Sequence, residues 1–316
     1  MKARHLITRR RLRPPLLFLH LPKAAGTSIF TLLQDVLRPR DVAYYFDRTQ
    51  FGDFDDFDSL SQDMRAGLLL APREIELDLA AGHVSRTTLL SLAGGRGRLM
   101  TVVREPMSRL LSHWLYWRGY DDARLALYGG WGRRIALSRG RLADFGERSE
   151  IGSATDNPLL RMLLWPHPLI PDGGFIDPSH DETLLSEAIK HLSHFDFVGS
   201  VENLHLMSAL SAWLNSAYPP SAHIRLMRRL SALLHGQKEA ATERNEQRLT
   251  SGIGGRWLSE EVASAERVLR ERTRLDLKLW ECAQNTYAAA ASPISSSVAF
   301  SNTVARYTTM AGEGAK

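Results

Sequence analysis

Residues 16–30, Leu-Leu-Phe-Leu-His-Leu-Pro-Lys-Ala-Ala-Gly-Thr-Ser-Ile-Phe, constrain this chain more than any other stretch. The apolar run 16–21 fits a buried strand, and Ile29, Phe30, Leu32, Leu33, Val36 and Leu37 recur at helical spacing behind it. The turn between them carries one cation, two hydroxyls and one glycine. A helix that starts directly after a strand leaves the N–H groups of its first turn unpaired, and its dipole adds partial positive charge there. Gly26 lets a ligand approach the backbone closely. Lys23 supplies a full charge, and Thr27 and Ser28 supply hydroxyl donors. The stretch therefore predicts a phosphate- or sulfate-shaped hole. The simpler alternative is an ordinary strand-to-helix turn with Thr27 or Ser28 as N-cap.

The order of residues is not that of a Walker A loop, because the lysine precedes the glycine. A second segment points to the same chemistry. Arg98 to Arg104 alternates toward β-branched residues and reads as another core strand, with Arg104 at its carboxyl end, where open parallel sheets bind ligands. Arg104 can grip a phosphate bidentately, and Ser112, about two helical turns further on, can add a hydroxyl. Arg109 reads as a helix-face residue in solvent or paired with a neighbour such as Glu105. Trp114, Tyr116 and Trp117 read as core or cofactor-edge packing.

His20-Leu-Pro-Lys-Ala-Ala-Gly-Thr-Ser28 resembles the 5′-phosphosulfate loop of carbohydrate sulfotransferases that use 3′-phosphoadenosine 5′-phosphosulfate (PAPS), in particular the group with the heparan and dermatan 2-O-sulfotransferases. Thr101-Val-Val-Arg-Glu-Pro-Met-Ser-Arg-Leu-Leu-Ser-His113 resembles the 3′-phosphate element of that family, in the expected order. The resemblance covers roughly residues 15–285, dense at these two motifs and thin elsewhere. It implies an α/β, P-loop-like three-layer fold with a central parallel sheet flanked by helices. It further implies that Lys23, Ala25, Gly26, Thr27 and Ser28 cradle the 5′ end of the donor and that Arg104 and Ser112 hold its 3′-phosphate.

Gly82-His83 after an apolar strand resembles the place of the family's catalytic histidine, and an imidazole can take a hydroxyl proton near neutrality. His20 and His113 rank below it as residues lining or packing near the site. Asn157 and Arg161 match the family's Asn-x-Gln-x-Arg-x-Leu element and are expected to bind the acceptor, although Leu159 stands where glutamine is usual. Asp-Phe-Val-Gly199, the nearby Glu202 and Asp276-Leu-Lys-Leu-Trp280 also resemble family segments; for Glu202, a helix N-terminal carboxylate is the simpler account. Lys23 and His83 are the expected catalytic pair, with no metal, and the acceptor is a hydroxyl, most simply on a carbohydrate.

The remaining sequence sets bounds. A net charge of +5 and a pI near 9.5 favour anionic ligands. Cys282 is the only cysteine, which excludes an internal disulfide and a cysteine-based zinc cluster in one chain. Arg9, Arg10, Arg11 and Arg13 precede a run too short for a secretory signal, so residues 1–14 read as a basic segment before the first strand. No segment reaches membrane-spanning length, and a cytoplasmic, bacterial-type enzyme is expected.

Further along, 44–58 reads as an aromatic and acidic solvated loop, 75–81 as a strand and 118–150 as a helical insertion. Residues 182–192 read as a helix, 194–202 as a late strand, 225–248 as a basic loop over the donor, and 258–283 as a final amphipathic helix. Residues 286–316 read as a disordered tail. Two rival functions share some features. A P-loop-type nucleotide kinase or NTPase would share the strand–turn–helix anion site but lacks its lysine position and a clear Walker B strand. A nucleic-acid-binding protein would explain the arginines, but no reading helix or aromatic-basic stacking motif accompanies them, so nucleic acid is not an expected partner.

Overall fold

The structure, a computed structural model, describes residues 9–69, 76–219, 250, 253–287 and 294–313. Its centre is a five-stranded parallel sheet in the order β2-β3-β1-β4-β5. The strands are β1 (Leu16–Leu19), β2 (Val42–Phe46), β3 (Leu79–His83), β4 (Arg98–Val103) and β5 (Phe197–Ser200). Parallel strands covered on both faces read as continuous apolar runs, as the fully buried Leu-Leu-Phe-Leu of β1 does. The chain runs from β1 to the edge strand β2, back to β3 and then across to β4, so the connections diverge around β1. The register sets Leu19 level with both Gly82 and Thr101, and Tyr45 level with Gly82. The loops after β1, β2, β3 and β4 therefore open together at one end of the sheet, the end where such sheets bind ligands.

Alternate residues of β1 feed two cores. Leu16 and Phe18 join Ile29, Leu33 and Leu37 of α1 (Gly26–Leu37) and Leu210 and Leu214 of a later helix, Leu206–Ala217. Leu17 and Leu19 face the opposite layer. There they join Leu89 and Leu92 of α2 (Arg86–Leu92), and also residues of Pro158–Leu164, Asp181–Leu192 and Arg274–Tyr287. A third, aromatic cluster is built around α3 (Pro106–Arg118), where Trp114 and Trp117 meet Phe51, Trp131 and Phe145. The expected helical insertion supplies much of it through short helices at Asp122–Ala126, Gly129–Ala136 and Leu142–Glu147.

Several expectations need correction. The stretch read as a loop from residue 44 contains most of β2, followed by a helical turn at Arg48–Phe51. The expected helix over 258–283 is two helices, Gly255–Arg272 and Arg274–Tyr287, separated at Thr273. The tail read as disordered over 286–316 carries a helix at Ser296–Glu313, which packs on Gly255–Arg272 and on α3 and buries Phe300, Tyr307 and Ala311. Its apolar residues find a ready-made aromatic surface, which no local pattern announces. The basic stretch 225–248 lies outside the described residues. In the basic segment before β1, Arg10 donates to the carbonyls of Leu37 and Tyr218, while Arg11 pairs with Asp41 at 2.5 Å. No helix among the described residues is long and apolar enough to cross a membrane.

Candidate active site

The loop leaving β1 is wound tightly. Lys23 and Ala25 both adopt left-handed backbone conformations, with φ of 68° and 58°, which cost roughly 1–2 kcal/mol each in a residue with a β-carbon. Strain of this kind persists where the surroundings demand it, and it concentrates at ligand-binding turns. Ala25 is the N-cap of α1 and offers no side-chain acceptor. The first i→i−4 bond of the helix runs from Ile29 N–H to the Ala25 carbonyl. The N–H groups of Gly26, Thr27 and Ser28 precede it and have no intrahelical acceptor. Neither hydroxyl caps the helix, so the simpler N-cap reading of Thr27 or Ser28 is set aside.

Lys23 and Arg104 meet at this turn. Arg104 donates from Nη1 to the Lys23 carbonyl at 3.2 Å, bracing the loop from the end of β4. The Lys23 ammonium stands 3.9 Å from the centre of the Tyr116 ring on α3, a cation–π placement that holds it at the mouth of the loop.

His83, the last residue of β3, faces the same space. Its Nδ1 lies 2.6 Å from the His20 carbonyl, an acceptor only, so Nδ1 carries the proton and Nε2 keeps its lone pair. Nε2 lies 3.4 Å from the Tyr44 hydroxyl. Burial pulls the His83 pKa down to about 4, partly offset by its bond to the His20 carbonyl and reinforced by Lys23. His83 is therefore a neutral acceptor at pH 7. Buried His20 is held well below the ordinary histidine range by desolvation, His83 and Lys23, and its Nδ1 sits 2.5 Å from the Tyr44 hydroxyl. His113 is also buried and neutral, set against Trp117 and 3.4 Å from Arg109.

Asp47, just beyond β2, fixes the His83 loop. It accepts from Ser85 N–H at 2.9 Å and Thr88 hydroxyl at 2.8 Å, and it caps the turn at Arg48–Phe51 through Thr49. Tyr44 and Asp47 escaped the sequence reading, although the β-branched and aromatic run Val42-Ala-Tyr-Tyr-Phe46 is a strand signal.

The structure brings together Lys23, Ala25, Gly26, Thr27, Ser28, His83 and Arg104, but Ser112, Asn157 and Arg161 go elsewhere. Ser112 is buried beneath the helix Ser296–Glu313, where it accepts a hydrogen bond from the Tyr307 hydroxyl at 3.1 Å. Asn157 is buried; its Oδ1 accepts from Leu275 and Asp276 N–H and its Nδ2 donates to Asp156, so it caps the helix Arg274–Tyr287. Arg161 donates to the carbonyls of Asp156, Pro171 and Gly174 and to the Asp156 carboxylate. These two side chains hold the scaffold and present no free group to an acceptor.

The Arg109 side chain is likewise neither exposed nor ion-paired with Glu105, whose carbonyl takes only the Arg109 backbone N–H. It is fully buried, with Nε and Nη2 unbonded among the described residues and its pKa lowered by burial to about 10. Glu202 accepts from Glu105 N–H, Ser200 and Trp280 rather than capping its own following helix. No cluster of metal-ligating side chains occurs among the described residues. No protein-family model, curated protein or solved structure matches the chain.

Proposed function

We propose that the chain is a PAPS-dependent sulfotransferase acting on a hydroxyl, most simply of a carbohydrate or glycoconjugate, and that its sheet is of the P-loop-like three-layer type. The observation that carries this reading is the juxtaposition at one end of the sheet of a helix head whose first N–H groups have no hydrogen-bond partner among the described residues, beside Lys23, and a neutral histidine whose unprotonated Nε2 meets only the Tyr44 hydroxyl, at 3.4 Å, among those residues. The first group suits an oxyanion, and the second suits a proton from an attacking hydroxyl.

In this scheme the N–H groups of Gly26, Thr27 and Ser28 bind the phosphosulfate oxygens, with Ala25 shaping the turn. Lys23 leaves the Tyr116 ring for the bridging oxygen and neutralises charge on the leaving phosphate. Arg104, at the end of β4, takes the 3′-phosphate without Ser112. His83 Nε2 accepts the acceptor's hydroxyl proton as the new O–S bond forms and the S–O bond to the leaving phosphate breaks. The leaving group departs as 3′-phosphoadenosine 5′-phosphate (PAP) with the bonding pair. The work is positioning and charge stabilisation, as in phosphoryl transfer. Protein cations neutralise the leaving group in this scheme, so no metal enters it.

Calorimetric titration with PAP, beside ATP and adenosine 5′-phosphate, tests the reading. Binding that needs the 3′-phosphate and no Mg²⁺ is the expected result. Preference for Mg-ATP would move the protein to the P-loop nucleotide kinases, and binding of none would remove the donor assignment.

A further inference from the structure

His20 has no part in the transfer scheme, yet its surroundings are built. The side chain is 5% exposed, its ring stacks on Phe18 with centroids 5.4 Å apart, and Nδ1 is engaged by Tyr44 at 2.5 Å. Nε2 has no hydrogen-bond partner among the described residues, and it is not among the polar atoms sealed from solvent. The ring edge that carries it lies over Gly26: a β-carbon there would be 1.8 Å from Nε2. The unmatched nitrogen thus faces the head of α1, beside the unpaired N–H groups.

The tautomer follows from Tyr44, whose single proton can serve one ring. The Tyr44 hydroxyl is 2.5 Å from His20 Nδ1 and 3.4 Å from His83 Nε2, and with an anion at the head of α1 its proton goes to His20. A neutral imidazole that accepts at Nδ1 carries its proton on Nε2. The reverse arrangement would aim a lone pair at the anion cradle and block the lone pair of His83 with the Tyr44 proton. An anion at the head of α1 opposes it on both counts.

We propose that His20 is a second catalytic imidazole of this site, a neutral N–H donor from Nε2 to the oxygens of the transferred sulfuryl group, with Tyr44 the positioning residue that fixes its tautomer. This role rests on the sulfotransferase reading. His20 keeps its proton throughout, while the acceptor proton passes to His83 Nε2, so the two rings work with opposite polarity. The tautomer that serves the sulfuryl group also leaves His83 open, which couples an occupied donor site to a ready base.

Nitrogen NMR of the histidine-labelled full chain tests the tautomer directly. A protonated Nε2 and an unprotonated Nδ1 at His20 are expected; the opposite pattern overturns the proposal, whatever the variants do. Kinetics test the role. His20→Gln keeps an amide N–H near the Nε2 position, whereas His20→Asn places its amide near Nδ1. His20→Asn is expected to lower kcat about 100-fold or more, with His20→Gln within about tenfold of the parent and PAP affinity within about threefold in both, because PAP lacks the transferred group. Wild-type turnover by His20→Asn, or a loss in His20→Gln as large as in His20→Asn, would overturn it. Failure of the parent protein to bind PAP removes the sulfotransferase reading and this role with it, whereas PAP binding by the parent confines any failure to His20.

Discussion

The imidazole of His20 lies directly over the α-carbon of Gly26, so close that a methyl group at Gly26 would fall 1.8 Å from both Cδ2 and Nε2 of the ring. The ring cannot simply step aside, because Phe18 stacks on it and Tyr44 holds Nδ1. Gly26→Ala is therefore expected to cost about 1–3 kcal/mol of stability through overpacking and to weaken PAP binding at least about tenfold by moving the loop. Urea denaturation and calorimetry measure the two effects. Unchanged PAP affinity in a folded variant would detach the loop from the donor site.

Lys23 is half-buried, and its ammonium rests over the Tyr116 ring rather than in the apolar core. Lys23→Ala should lower kcat by about two or more orders of magnitude while leaving the melting temperature nearly unchanged. Near-normal turnover would remove Lys23 from the leaving-group role.

The pH dependence of activity should be displaced from that of an ordinary histidine. With its pKa at about 4, His83 stays a competent base far below neutrality, so kcat/KM for the donor should lose its acid limb near pH 4 rather than near 6.5. An acid limb near 6.5 that vanishes in His83→Ala would show that the free enzyme does not hold His83 neutral by burial.

Stability has its own pH signature. The folded pKa values of His20, His83 and His113 all lie below the ordinary 6.5, so the unfolded chain binds more protons once the pH falls beneath 6.5. Their contribution is complete above that value and is lost on acidification towards the folded values. Asp276 acts oppositely: burial raises it from 3.8 to about 6, so its contribution is lost as pH rises through that range. His191 is lowered as well and Glu105 is raised, both by burial, so four histidines stand against two carboxylates and the melting temperature should fall between pH 7 and pH 5. A rise on acidification, followed by scanning calorimetry, would contradict the buried-neutral state of the three rings.

Asn157 and Ser112 offer paired tests of scaffold against site. Asn157→Ala leaves the Leu275 and Asp276 N–H groups without their buried acceptor and should cost about 2–3 kcal/mol with PAP affinity unchanged. Tyr307→Phe and Ser112→Ala should each cost about 1 kcal/mol, again without effect on PAP. A stable Ser112→Ala variant with weakened PAP binding would restore Ser112 as a phosphate ligand and imply that the Ser296–Glu313 helix moves.

By itself the sequence determined the β1–turn–α1 unit, the β4 strand ending at Arg104, and the alternation of strands with helices that demands a parallel sheet. Those features are local: an apolar run, helical spacing and a small-residue turn depend on neighbours within a few positions. The tertiary structure decided what touches what. Tyr44 meets His20 across 24 positions and His83 across 39, and Tyr307 meets Ser112 across 195. Asn157 and Arg161 fit an acceptor-binding pattern by type and spacing, yet chain packing turned their polar groups inward to satisfy a helix end and a loop. The helix Ser296–Glu313 has weak local signals, and it is ordered by the aromatic surface of α3 and Gly255–Arg272 on which it lies. Burial also set the state of the histidines, since the same imidazole titrates near neutrality in water and stays neutral when desolvated beside Lys23.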